Sequence, residues 1–92
     1  MDKIVEKAVV TVVGKDAVGI LAKVSKACAD ANANVIEVTQ SVFNEIFCMI
    51  MIIDITKLTI SIDELQKNIA DEAKGMTIHV MHEDIFNAMH RI

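Results

Sequence analysis

The residues of this 92-residue sequence whose types and spacing could do chemistry are three histidines, two cysteines and one glycine-bounded turn. His79 and His82 stand three apart in an alternating segment. On a strand that spacing puts them on opposite faces, so they cannot chelate one metal. His90 lies in the closing segment, and no His, Cys and carboxylate set has zinc spacing, so structural or solvated roles are expected and no metal. Cys28 and Cys48 form no CxxC pair, and neither sits at a helix start where a thiolate would be favoured. Both read as buried small hydrophobes in a reducing compartment. Ser41 and His79 could share a sheet face, but such pairs arise often by chance. Neither GxGxxG nor GxxxxGK occurs. What rises above background is Gly14-Lys15-Asp16-Ala17-Val18-Gly19-Ile20, a strand end, a tight turn and a helix start in one segment. Gly19 has no Cβ, so a ligand or another backbone could approach closely, and free N–H groups there would favour a carboxylate. An Asp-x-x-Gly turn also serves geometry alone.

The elements that must position these residues follow from periodicity. Ala8 to Val13 is a run of small and β-branched residues ending at Gly14, which predicts a strand. Asp16 is suited to cap the next helix, whose apolar stripe is Ile20, Val24, Ala27 and Ala31. Asn32 and Asn34 tolerate left-handed backbone and end it. Val35 to Phe43 alternates as a half-buried strand, Asn44-Glu45 is a hairpin turn, and Ile46 to Ile55 is apolar on both faces like a central strand. Ser61-Ile62-Asp63-Glu64 matches a capping box opening a helix with Ile62, Leu65, Ile69 and Ala73 on its apolar side and Gly75 as C-cap. Met76 to His82 gives a fourth strand. Glu83 to Ile92 gives a short amphipathic helix with Ile85, Phe86, Met89 and Ile92 at helical spacing.

The order βαββαβ predicts an α+β, ferredoxin-like sandwich: a four-stranded antiparallel sheet with both helices on one face and the first and third strands central. One domain fills residues 1–92, with a core over 6–82 and a helical tail over 83–92. Taking even positions as the helix-covered side gives Ala8, Val10, Val12, Ile36, Val38, Cys48, Ile50, Ile52, Ile78 and Val80. The open face then carries Val9, Val13, Phe47, Met49, Met51, Ile53 and Met81 among its residues, an apolar excess that predicts a covering helix, a second subunit, or both.

Composition excludes other classes. With 53% hydrophobic residues and only 3% aromatic, the chain is not disordered. The net charge is −4, the lysines are scattered and Arg91 is the only arginine, so no clustered basic face for DNA or RNA is expected. The apolar run Ile46 to Ile53 is far below the ~20 residues of a membrane span, and Met1-Asp2-Lys3 leads into no signal-peptide pattern. The expectation is a cytoplasmic protein.

Val12-Val13-Gly14-Lys15-Asp16-Ala17-Val18-Gly19-Ile20-Leu21-Ala22-Lys23-Val24-Ser25, with Asn34-Val35-Ile36 opening the second strand, resembles the ACT domain over residues 6 to 82. The closing Glu83-Asp84-Ile85-Phe86-Asn87-Ala88-Met89-His90-Arg91-Ile92 looks like the tail of stand-alone single-ACT proteins, which are similar to the ACT repeats of the glycine-cleavage-system repressor. The resemblance implies a regulatory, non-enzymatic module without cofactor, working as a homodimer with an amino acid at the subunit interface and acting on a regulated protein that the sequence does not name. It implies one half-site of Asp16, Ala17, Val18, Gly19 and Ile20, and a second of Asn34, Val35 and Ile36 from the partner. The Gly19 and Ile20 amides would hold the α-carboxylate, Asp16 or the Asn34 side-chain carbonyl the ammonium, and Val18 with Ile36 would bound the side-chain pocket. Two other functions compete. One is a ligand-independent dimerisation or adaptor domain. The other, remote, is an acylphosphatase-like hydrolase, which would want an arginine where this loop has Lys15 and Asp16.

Overall fold

A computed structural model describes residues 4–15 and 18–90. The elements run β1 (Lys7–Gly14), α1 (Ile20–Asp30), β2 (Asn34–Phe43), β3 (Ile46–Asp54), α2 (Ile62–Glu72), β4 (Thr77–His82) and α3 (Glu83–Met89). The strands form one antiparallel sheet in the order β2-β3-β1-β4, so β1 and β3 are central as the pattern predicts.

The helices form where local chemistry provides for their ends. The α2 capping box is complete: the Glu64 amide donates to Ser61 Oγ at 3.1 Å and the Ser61 amide to Glu64 Oε1 at 3.4 Å. Its C-cap is Ala73 rather than Gly75, which takes φ +90 two residues later. Ser61→Ala should cost about 1 kcal/mol in chemical denaturation, because the Glu64 amide loses its acceptor and the Glu64 carboxylate loses the hydroxyl that helps hold it. At α1 the expected cap differs. The N-cap is Gly19, in the left-handed region at φ 69, and no side chain among the described residues caps the helix. The predicted cap, Asp16, lies outside the described residues. Asn32 ends α1 in the left-handed region at φ 62, while Asn34 already begins β2. The β2–β3 turn places both Asn44 and Glu45 at positive φ, the backbone of a tight hairpin that follows the sheet's twist.

α1 and α2 cover one face of the sheet. Val24, Ala27 and Cys28 of α1 and Leu65 and Ile69 of α2 pack on Val10, Val12, Ile78 and Val80. The prediction for β3 is overturned. Its covered residues are Phe47, Met49, Met51 and Ile53, while Cys48, Ile50 and Ile52 lie on the open face. The reason is register. Val10 pairs with Met51 and Val12 with Met49, so an even residue of β1 stands beside an odd residue of β3. Val10 pairs with Val80, so β4 keeps the parity of β1. On β2, Val38 pairs with Met51, but a bulge between Val35 and Glu37 leaves Ile36 as an extra residue outside the alternation, and not on the covered face. β2 is also not half-buried. Every residue but Val38 is exposed, because the strand forms an edge of the sheet that α1 touches only in part.

α3 folds back against β1 and β4. By register Val9 belongs to the open face, yet it is 2% exposed, so α3 provides its cover. The predicted stripe of α3 is only partly used: Phe86 is half-buried, Ile85 and Met89 are exposed, and Ile92 lies outside the described residues. The His82 Nδ1 caps this helix by accepting from the Asp84 amide at 3.2 Å.

Candidate functional site

Residues of the first half-site stand where β1 leaves the sheet. Asp16 and Ala17 lie outside the described residues. Val18 is 82% exposed, Gly19 adopts the left-handed backbone, and Ile20 turns inward as the first buried residue of α1. A Cβ on Gly19 would find open space, with only Lys23 Cε at 4.0 Å, so glycine is required there by backbone conformation and not by crowding. With no side-chain cap on α1, its first-turn amides have no side-chain acceptor among the described residues.

The second half-site opens β2. Asn34, Val35 and Ile36 are exposed, and Ile36 is set apart by the bulge. Near Asn34 a polar network joins three segments. The Asn32 side-chain amide donates to the Lys57 carbonyl at 3.0 Å, and the Thr56 amide donates to Asp54 Oδ1 at 2.8 Å. The Glu6 amide donates to Thr56 Oγ1 at 2.9 Å. Thr56, through its hydroxyl first and its amide second, holds the Asp54 carboxyl below its usual range. Asn32, Asp54, Thr56 and Lys57 border a groove of about 660 Å³ that also includes Asn34. The sequence marks Asn32 only as a helix end and Asp54, Thr56 and Lys57 not at all. The Asp54-x-Thr56 spacing, an Asx-turn signature, was the available signal.

The half-sites do not meet within one chain. Asn34 pairs with Asp54 and Asp54 with Lys7, whereas the loop begins at Gly14. Lys7 to Gly14 is seven steps of strand, about 24 Å at about 3.4 Å each. A second groove, about 480 Å³, lies at the loop end and is bordered by Gly14, Lys15, Lys74 and Met76. Each groove holds one end of the sheet.

The two edges of the sheet differ. On β4, the outward Val80 amide donates to Gln66 Oε1 at 2.9 Å, so α2 covers that edge. β2 is ten residues long, has no proline and only one charged residue, Glu37. Such an edge is a template for another strand.

A sequence profile of the ACT domain matches residues 6–83. The chain belongs to the ACT domain family. A UPF0237 protein of Methanocaldococcus jannaschii is 41% identical over 88 residues, spanning 94% of this chain and 98% of that one. The structure of an ACT domain protein from Streptococcus pneumoniae superposes with a TM-score of 0.76 at 29% identity, covering 95% of this chain and 100% of that one. A candidate glycine cleavage system transcriptional repressor superposes at 0.69 with 21% identity, and this ACT domain spans 47% of its length. That last likeness is one of fold.

The remaining chemistry of this ACT domain is sparse. Among the described residues no His, Cys, Asp and Glu group is arranged to hold a metal ion, and no helix is long and apolar enough to cross a membrane. Ser41 and His79 do share the open face, but on opposite edge strands, three spacings across and two residues along, or about 16 Å apart. Cys28 is buried within α1, and Cys48 is half-buried on β3.

Proposed function

We propose that this ACT domain is a regulatory module that binds a small amino acid between two copies of itself and transmits the bound state to a partner protein. The observation that carries this reading is the placement of the two half-sites at opposite ends of one sheet, with the open β2 edge between the chains that would share them. A two-fold axis perpendicular to the sheet would pair β2 with its symmetry mate antiparallel. That operation sets the Asn34 end of one chain beside the Gly14–Ile20 end of the other.

In that arrangement the Gly19 and Ile20 amides take the α-carboxylate, the natural ligand of an uncapped helix start. Asn34, from the other chain, offers its side-chain carbonyl to the ammonium, with Asp16 as the second acceptor. Val18 and Ile36 close over a small side chain, and Ala17 and Val35 flank it. Regulation, not catalysis, fits a site built from backbone amides and apolar side chains.

A thermal-shift screen of the twenty amino acids tests the proposal. A ligand at 100 times its Kd should add about 2.7 kcal/mol and raise the melting temperature by several degrees. Gly19→Val, which strains a left-handed position, should abolish that response. A melting temperature indifferent to all twenty at millimolar concentration would sink the sensor reading and leave a ligand-independent dimerisation domain.

A further inference from the structure

Among the described residues, Asp54 is the only carboxylate that borders the groove beside Asn34. β3 ends at Asp54, β2 begins at Asn34, and the two residues are direct partners across the ladder. Directly opposed residues of an antiparallel pair project to the same face, with Cβ atoms about 5 Å apart. A neutral amide carbonyl and an anionic carboxylate therefore flank one opening.

The Asp54 carboxylate is held in place without being neutralised. Its Oδ1 accepts from the Thr56 amide at 2.8 Å, and the Asn32 side chain grips the same turn through the Lys57 carbonyl at 3.0 Å. The ion pairs among the described residues are those of Lys26 with Asp30 and Glu72 and of His82 with Asp84, so none involves Asp54. Thr56 does most to keep the carboxyl ionised, and Lys57 and Lys7 add to this from farther off. An ionised carboxylate offers about four acceptor positions, and Thr56 occupies no more than two of them with its amide and hydroxyl. Half-buried Asp54 thus keeps both acceptor capacity and an unpaired charge.

We infer that Asp54 receives the ammonium of the bound amino acid together with Asn34, and so selects ligands with a free α-ammonium over the corresponding α-hydroxy and α-keto acids. The assignment rests on the amino-acid reading proposed above. In that reading Asn34 gives the ammonium a neutral carbonyl, which leaves a desolvated cation without a counter-charge from that chain. Asp54 supplies it from the same strand pair. One nitrogen bridges oxygens about 5 Å apart at about 2.8 Å from each. Thr56 and Asn32 fix the turn before any ligand arrives, so binding spends little on ordering it. An α-hydroxyl or α-keto oxygen in place of the ammonium leaves the enclosed carboxylate without its cation, and that mismatch is the basis of rejection.

Chemical-shift titration of the full chain tests this with glycine, alanine and serine, each beside the α-hydroxy acid of the same skeleton (glycolate, lactate and glycerate). Asp54→Asn keeps an Oδ1 for the Thr56 amide and removes only the charge. It should raise Kd for the amino acids by about 10- to 100-fold and leave the hydroxy acids within a few-fold of wild type, so the preference collapses. Asp54→Ser, whose hydroxyl also supports a turn, should do the same, and both variants should keep the wild-type circular dichroism. Equal weakening of the two ligand classes would make Asp54 a turn residue only and overturn the assignment. Unchanged amino-acid binding would overturn it too. In either case loss of binding on Gly19→Val still supports the amino-acid reading. A wild-type protein that binds none of the three amino acids would remove that reading, and the assignment with it.

Discussion

Met51→Ala should lower the free energy of unfolding by about 2–5 kcal/mol, whereas Ile50→Ala, one residue away on β3, should cost less than about 1 kcal/mol in dilute protein. Met51 is 0% exposed and sits opposite Val10 and Val38 beneath the helices, so truncation leaves a cavity that close-packed neighbours fill only in part. Ile50 is 43% exposed on the other face, and its truncation is an exchange with solvent. A charge separates the two more sharply. Met51→Lys should not fold, because an unpaired buried ammonium costs more than the total stability of a small domain. Ile50→Lys should retain the native circular dichroism. Urea titration with unchanged slope checks the alanine pair. Equal costs at positions 50 and 51 would disprove the β1–β3 register described here.

Cys28 should make the protein sensitive to alkali. Burial pushes its thiol from 9.0 up to about 11. The sign follows from which state loses the proton first. Below pH 9 the thiol is protonated in both folded and unfolded chains and stability is unaffected. Between pH 9 and 11 the unfolded chain ionises while the folded one keeps its proton, so stability falls across that window by on the order of 2 kcal/mol. Lysines titrate in the same range, so Cys28→Ala isolates the effect: the variant should show a shallower loss between pH 9 and 11 than the wild type. Reactivity gives a second readout. At pH 8 the thiolate fraction of Cys28 is about 100-fold below that of a thiol at its ordinary value, so Cys28 should label only on unfolding. Rapid labelling of Cys28 in the folded protein would contradict its burial in α1.

Much of the architecture is legible in the residues themselves. The Ser61 and Glu64 spacing fixes where α2 begins, because both reciprocal hydrogen bonds are local. The Asn44-Glu45 turn pins the β2–β3 hairpin, because few residues accept consecutive positive φ. The apolar stripe of Ile20, Val24, Ala27 and Ala31 orients α1. Other features needed contacts between distant segments. Alternation along β3 shows that its two faces are both apolar but cannot say which is inside. That choice rests on whether residue 10 pairs with residue 51 or with a neighbour, a one-residue difference that exchanges the faces. Edge exposure of β2 has the same origin: its pattern reads as half-buried, and only the strand order places it at an edge that α1 covers in part.

The candidate site divides along the same line. By itself the sequence determined the element order, the glycine-bounded turn, the Asn34-Val35-Ile36 strand start and the resemblance to the ACT domain, because each depends on residues close together in the chain. Only the tertiary structure decided that Gly19 stands at the start of α1 in the left-handed region. It alone decided that the Gly14 turn and the Asn34 strand start lie about 24 Å apart at opposite ends of the sheet, and that the open face presents Ile46, Cys48 and Ile50 in place of Phe47, Met49 and Met51. Those outcomes come from register and strand order, which are set by packing the whole core at once.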